Sequence, residues 1–266
     1  MPVTQIRPPT ALAPYVDAFW YRSPDDSTDS AASRRILPDG CLDIVVGPRQ
    51  AIVVGAMTRP VVLPSTPPGG GAREGAGVVG VRFRPGMATA FLRIPAAALT
   101  DDRAPLEAVW PDGAAVADYV GSSPGPGQAV SRLADVLVSR LSRIDTVPPD
   151  LLAAVERIAA HGGRTDVSRL AASLGVTRQH LARRFAAHVG VPPKTFCRVV
   201  RLWRVLRSTG AGRVNWAALA AELGYSDQSH LVTEFRSLTG LTPGAWIASS
   251  RPGSKSPSRR RAGALG

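Results

Sequence analysis

The chain has 266 residues, 44% of them apolar, with 32 Lys and Arg against 20 Asp and Glu, a formal charge of +12 and two cysteines. That length fits roughly two domains, and Cys41 and Cys197 could close at most one bridge, which excludes a disulfide scaffold. No apolar run approaches the roughly 20 residues that span a bilayer, and Met1 to Arg7 lack a signal-peptide core, so a soluble, cytoplasmic protein without membrane contact is expected.

Charge is segregated along the chain. Residues 1–150 carry 14 basic and 15 acidic side chains, a net of −1, while residues 151–266 carry 18 and 5, a net of +13. The second half is therefore expected to meet a polyanion, nucleic acid before membrane surface. All basic residues but Lys194 and Lys255 are Arg in a chain rich in Ala, Gly and Pro, so the segregation carries this inference more than the Arg preference does.

In chain order, the β-branched runs Ile44–Val46, Ile52–Val54, Val61–Leu63 and Val78–Phe83, each bounded by Gly, Pro or Asp, predict strands. Pro64 to Gly77 holds a Pro-Pro pair and a triple glycine and predicts a long loop, a disordered hairpin connection in preference to a lid. Met87–Ile94 and Pro105–Trp110 predict short helices, with Thr100 or Asp101 placed to cap the approach to the second. Gly121–Gly127 predicts a break. Val130, Leu133, Ala134, Leu137, Val138 and Leu141 then recur at helical spacing, and this amphipathic helix is either a dimer seam or a cover over the β domain. Val147, Pro148 and Pro149 form a stiff boundary.

The basic half reads as helix and contains an internal repeat. Leu170-Ala-Ala-Ser-Leu-Gly-Val176 is echoed by Leu219-Ala-Ala-Glu-Leu-Gly-Tyr225 at an offset of 49; at an offset of 50, His180 and Leu181 match His230 and Leu231, Phe185 matches Phe235, Gly190 matches Gly240 and Pro193 matches Pro243. In each copy a short helix ends at a glycine able to adopt the left-handed conformation, Gly175 or Gly224. Thr177 or Ser226 follows in position to cap a second helix. Each copy is thus a helix-turn-helix, with Leu181 and Phe185, or Leu231 and Phe235, facing inward. Arg178, Gln179, Ala182 and Arg183, then Gln228, Ser229, Val232 and Thr233, face out.

Such helices fit the major groove of B-DNA, where Arg can read guanine, Gln adenine, and Val a thymine methyl. Between the copies, Phe196, Val199, Val200, Trp203 and Leu206 line one side of a helix from Pro193 to Ser208, and Arg198, Arg201, Arg204 and Arg207 line the other. About 15 residues span roughly 22 Å, which allows two recognition helices to lie one DNA turn apart, near 34 Å.

The stretch from about Asp150 to Ser249 resembles the DNA-binding domain of AraC/XylS-type transcriptional regulators, through both motifs and the closing residues Tyr225-Ser-Asp-Gln-Ser-His-Leu231, Phe235, Arg236 and Gly240-Leu-Thr-Pro243. The resemblance implies base contacts by Gln179, Ala182 and Arg183 and by Gln228, Ser229, Val232 and Thr233. It departs at Thr233, where the family often carries Arg, and at Ala245-Trp-Ile247, where an aromatic-Arg pair often follows the closing Pro. Arg207 and Arg236, with the caps Thr177 and Ser226, are assigned to phosphates, contacts that position without reading sequence. Ile36-Leu-Pro-Asp-Gly-Cys-Leu-Asp43 and Val79-Gly-Val-Arg-Phe-Arg-Pro-Gly86 are similar to an N-terminal domain on a subset of these regulators, a small cupin-like β structure.

The expected architecture is α+β: a β-rich sensing or dimerising domain with added helices over 1–145, an all-α domain of two helix-turn-helix motifs on a connecting helix over 150–249, and a disordered basic tail over 250–266. Double-stranded DNA is the expected partner; a small-molecule effector on the first domain, RNA polymerase and a second copy are partners this architecture allows. The alternative is an N-terminal enzyme fused to a DNA-binding module. Asp39 and Asp43 flanking Cys41 could be drawn as an acid/base pair with a nucleophile, but an Asp39-Gly40 turn leading into a buried strand at Cys41 is preferred. All four histidines, His161, His180, His188 and His230, lie beyond residue 150, which argues against a cupin-type metal site. No catalytic residue, metal site or cofactor is expected.

Overall fold

Strand β1 (Thr4–Ile6) pairs antiparallel with β2 (Val16–Arg22), which pairs in turn with β7 (Val78–Phe83). Together with β4 (Asp43–Val46), β5 (Ala51–Val54) and β8 (Arg103–Pro105) they form one six-stranded antiparallel sheet in the order β1-β2-β7-β4-β5-β8. β7 sits inside this sheet, which is why Val79, Val81 and Phe83 are all buried. Among the described residues, strands β3 (Arg34–Ile36) and β6 (Val61–Leu63) pair only with each other as a separate ribbon, Arg35 opposite Val62. The computed structural model describes residues 3–22, 34–48, 50–63, 77–209 and 214–249. The expected loop over 64–77, but for Gly77, and the expected tail lie outside the described residues.

The four strands expected from β-branched runs are present, and β1, β2, β3 and β8 join them. β2 lacks an apolar-polar alternation because it lies between β1 and β7 and buries four of its seven residues, Val16, Ala18, Phe19 and Trp20, with Asp17, Tyr21 and Arg22 half-buried beside them. Asp17 stands at a register shift between Val16 and Ala18. The helix expected over Pro105–Trp110 is instead the end of β8 and a single 3-10 turn, Leu106–Ala108. Trp110 donates its indole N–H to the Phe91 carbonyl (2.9 Å), which fixes that turn against helix α1 (Ala88–Leu92). Thr100 and Asp101 cap nothing there. Thr100 hydrogen-bonds the carbonyl of Gly190, and Asp101 accepts from the Thr58 backbone N–H (2.7 Å).

Helix α2 (Gly113–Gly121) lies just ahead of the expected break, and α3 (Pro126–Arg140) begins within it, Pro126 occupying a first-turn position where its missing N–H removes no bond. α3 lays Val130, Leu133, Ala134 and Leu137 against β2 and β7. Of the two readings of this helix, the cover over the sheet is the one its apolar face fulfils.

The remaining elements are helices: α4 (Pro149–Ala160), α5 (Val167–Ser173), α6 (Arg178–Val189), α7 (Pro193–Ser208), α8 (Trp216–Glu222), α9 (Gln228–Thr239) and α10 (Pro243–Ser249). The fold is therefore α+β, with a sheet domain followed by an all-helical one. Buried apolar side chains form one cluster running from Leu12 through Phe83 and Phe196 to Trp246, so the two parts share a core. Among the described residues no helix is long and apolar enough to cross a membrane.

Candidate nucleic-acid interface

The repeat in the sequence is a repeat in space. α5 and α6 form one helix-turn-helix and α8 and α9 the other, with α7 between them. The turn glycines Gly175 and Gly224 have φ of +70° and +76°, as expected. The structure adds correspondences at the caps. Asp166 accepts from the backbone N–H groups of Ser168 (2.8 Å) and Arg169 (3.1 Å) at the start of α5, and Asn215 accepts from Ala218 (3.1 Å) at the equivalent start of α8. Accepting these bonds holds the Asp166 carboxylate below the usual range, since the charged form is the better acceptor.

Thr177 caps α6 by accepting from the His180 N–H (3.1 Å). In the second unit the expected cap, Ser226, is displaced by its neighbour. Asp227 accepts from the His230 N–H (2.8 Å), and Ser226 Oγ instead donates to the Asp227 carboxylate (3.1 Å). A carboxylate is the stronger acceptor at a helix N-terminus, where it also meets the positive end of the macrodipole. His230 takes up this turn as well: its Nδ1 lies 3.1 Å from Ser226 Oγ, and its ring packs edge-on against Tyr225 at 5.3 Å.

The outer faces are as read from the sequence. Arg178, Gln179 and Arg183 are exposed and Ala182 half-buried on α6; Gln228, Ser229 and Thr233 are exposed and Val232 half-buried on α9. Leu181, Phe185, Leu231 and Phe235 are buried beneath them. Thr177, Ser226, Arg207 and Arg236 are exposed. Arg183 leans on the adjacent ring, its Nη2 3.4 Å from His180 Nδ1. The basic side of α7 is only partly solvated, contrary to a simple amphipathic reading. Arg198 and Arg201 converge on the buried Glu234 of α9, each at 3.0 Å, and Arg201 also donates to the Gly163 carbonyl (2.9 Å).

This ion cluster fastens the second recognition helix to the connecting helix, and sequence reasoning missed it. A lone Glu three residues after Leu231 and four before Leu238, on the apolar face of α9, was the available signal. Tyr225 belongs to the same cluster, the Arg201 guanidinium lying 5.0 Å from its ring centre. Burial, with Glu234 nearby, pushes the Tyr225 hydroxyl pKa up. On the first unit Arg184 pairs with Asp150 (2.6 Å), joining α6 to α4.

The Asp39-Cys41-Asp43 constellation lies in the other domain and is neutralised internally. Arg82 forms ion pairs with Asp39 (3.0 Å) and Asp43 (3.1 Å), with Arg82 and both carboxylates buried. Burial pushes the Asp39 pKa up to about 6 against the pull of Arg82. Burial, with Asp39 beside it, holds the Cys41 thiol far above its ordinary value, so this sulfur is held protonated and is not an activated nucleophile. Cys197, buried on α7, is likewise pushed up by burial, to about 11. Among the described residues no group of three or more His, Cys, Asp or Glu side chains is placed to hold a metal ion.

Residues 170–249 match the family profile of a helix-turn-helix domain, and residues 4–105 that of a domain of unknown function (DUF6597). Over 100 residues the chain is 33% identical to a protein of Streptomyces antibioticus described as an AraC-like transcription regulator; the match takes in 38% of this chain and 32% of that protein, so the chain spans about a third of that relative's length. Solved structures similar to the chain include an apo variant of ToxT from Vibrio cholerae, at 11% identity and a TM-score of 0.43 over 93% of this chain and 96% of that one. Wild-type ToxT of the same organism bound to an unsaturated fatty acid is similar at 12% identity and a TM-score of 0.39, over 81% and 89% of the two chains.

Proposed function

We propose, from the match of residues 170–249 to a helix-turn-helix domain and the likeness to an AraC-like transcription regulator, that this chain is a sequence-specific, DNA-binding transcription regulator that lays α6 and α9 into adjacent major grooves. One observation carries the reading: two helices at equivalent places in a repeat bury one face and present the same N-terminal positions, 178, 179 and 183 on α6 and 228, 229 and 233 on α9, to solvent.

In this reading Arg178, Gln179, Ala182 and Arg183 of the first unit and Gln228, Ser229, Val232 and Thr233 of the second face base edges, where Arg and Gln donors can discriminate base pairs. Thr177, Ser226, Arg207 and Arg236 meet phosphates and set the register of the protein on the duplex. Residues 1–145 are the sensing or dimerising domain, 150–249 the DNA-binding domain, and 250–266 a basic extension adding phosphate contacts. The regulator works in the cytoplasm; a small-molecule effector, RNA polymerase and a second copy are the further partners assigned to it, and it carries out no catalysis.

Selection of bound duplexes from a random pool tests the reading. A bipartite motif whose halves lie about one helical turn apart is expected. Recovery of duplexes with no common sequence, or retention of RNA in preference to B-DNA, overturns it.

A further inference from the structure

The glycines that close the two recognition helices, Gly190 of α6 and Gly240 of α9, are equivalent in the repeat, and the sheet domain touches both. A Cβ built on Gly190 would lie 3.0 Å from Ala56 Cβ and 3.3 Å from the Ala96 carbonyl oxygen, and Thr100 Oγ1 donates to the Gly190 carbonyl. One built on Gly240 would lie 3.6 Å from Pro60 Cγ and 3.7 Å from Arg35 Nε. Between these points the same domain holds α7: Trp203 donates its indole N–H to the Pro38 carbonyl (2.8 Å), and Phe196 fills the space beside Gly40.

Most of these partners come from two neighbouring segments of the sheet domain. Arg35, Pro38 and Gly40 lie on and after β3; Ala56 and Pro60 lie between β5 and β6. The β3–β6 ribbon, separate from the main sheet, is the part that reaches the second unit. Arg35 places its cationic group beside the C-terminal end of α9, where unpaired carbonyls and the negative end of the macrodipole favour a positive charge.

α7 alone is a single rod, and a small rotation at either of its ends would displace one recognition helix relative to the other. We propose that the amino-terminal domain is a brace that fixes the separation and angle of α6 and α9, so that Arg35, Pro60 and Thr100 are positioning residues for half-site spacing although none of them faces DNA. This inference rests on the regulator reading and extends it: the first domain determines which spacing of two half-sites the chain accepts, not which bases it reads.

The test uses the full chain and duplexes carrying the two selected half-sites at separations changed one base pair at a time. The intact chain should show one sharp optimum. In Arg35→Ala and in Thr100→Val the advantage of that optimum over its neighbours should fall about three- to tenfold, the scale of one lost contact or hydrogen bond. Affinity for a duplex with a single half-site should stay unchanged, which a general loss of folded protein would not leave so. If Arg35→Ala does not fold, the near-isosteric Arg35→Met supplies the same reading.

An unaltered spacing profile in folded Arg35 and Thr100 variants overturns the brace while leaving the regulator intact. An intact chain that binds no duplex overturns the regulator and the brace together.

Discussion

Glu234, on the recognition helix of the second unit, is buried to 6% side-chain exposure and lies 3.0 Å from Arg201 on the connecting helix, which is itself only 15% exposed. A carboxylate so placed is held by its two arginines, and its removal strands their charge. Burial works against the Arg201 guanidinium, and Glu234 more than offsets it, raising its pKa. Glu234→Ala should therefore destabilise the chain by about 3 kcal/mol, the low end for breaking a buried pair because Arg198 can still reach water. Urea unfolding would check this; a loss under about 0.5 kcal/mol would place the arginines in solvent.

Base-facing and phosphate-facing residues differ in what their loss does. Arg183→Ala should weaken binding to the selected site by about 1–3 kcal/mol and relax specificity at one base pair. Arg207→Ala or Arg236→Ala should weaken binding to all duplexes alike and reduce the salt slope by about one. Titration of binding against salt for matched and mismatched duplexes separates the two outcomes. A sequence-specific loss in the Arg236 variant would move that residue into the base-reading set.

Gly40 has a φ of +70° and stands against Phe196 so closely that a Cβ on it would lie 2.6 Å from the ring edge. Gly40→Ala should destabilise by about 1–3 kcal/mol through overpacking, with further strain from the left-handed backbone. The loss should be smaller in Phe196→Leu, which opens the space, and a double-mutant cycle measures that coupling.

Asp39 gives a pH dependence of unusual sign for a carboxylate. Its pKa is raised from 3.8 to about 6 on folding, by burial first, with Arg82 pulling down and Asp43 pushing up. Between these values the folded state binds more protons than the unfolded, so this contribution to stability is fully present below about 3.8 and lost as pH rises through about 6. Asp17, Asp43, Cys41 and Arg82 surround the group and share its field. Asp39→Asn should remove that slope between pH 4 and 6. Thermal melts of both proteins across the window check it; an unchanged difference from pH 4 to 7 would contradict it.

Capping offers a local test of the first unit. Thr177→Ala removes the acceptor that His180 N–H uses and should cost about 1 kcal/mol of stability. Thr177→Asn should restore most of it, and thermal denaturation reads both.

The helical half was legible because its determinants are local. A repeat offset, turn glycines, capping residues and apolar positions four apart specify helices through contacts within a few residues, and α5, α6, α8 and α9 follow from them. The second cap shows the limit even there: Ser226 and Asp227 are adjacent, both can cap, and only the backbone geometry chose Asp227. β2 and β8 were not legible, since a strand's pattern depends on what lies on either side of it.

By itself the sequence determined that a basic domain would carry two polar-faced helices in a repeat, because periodicity and charge belong to the chain before it folds. Only the tertiary structure decided that Glu234 would gather Arg198 and Arg201, that Arg82 would silence Asp39 and Asp43, and that Gly190 and Gly240 would both rest on the sheet domain. These pairs are separated by tens to more than a hundred residues, and nothing local to either partner encodes the other. Burial in a shared core brought them together.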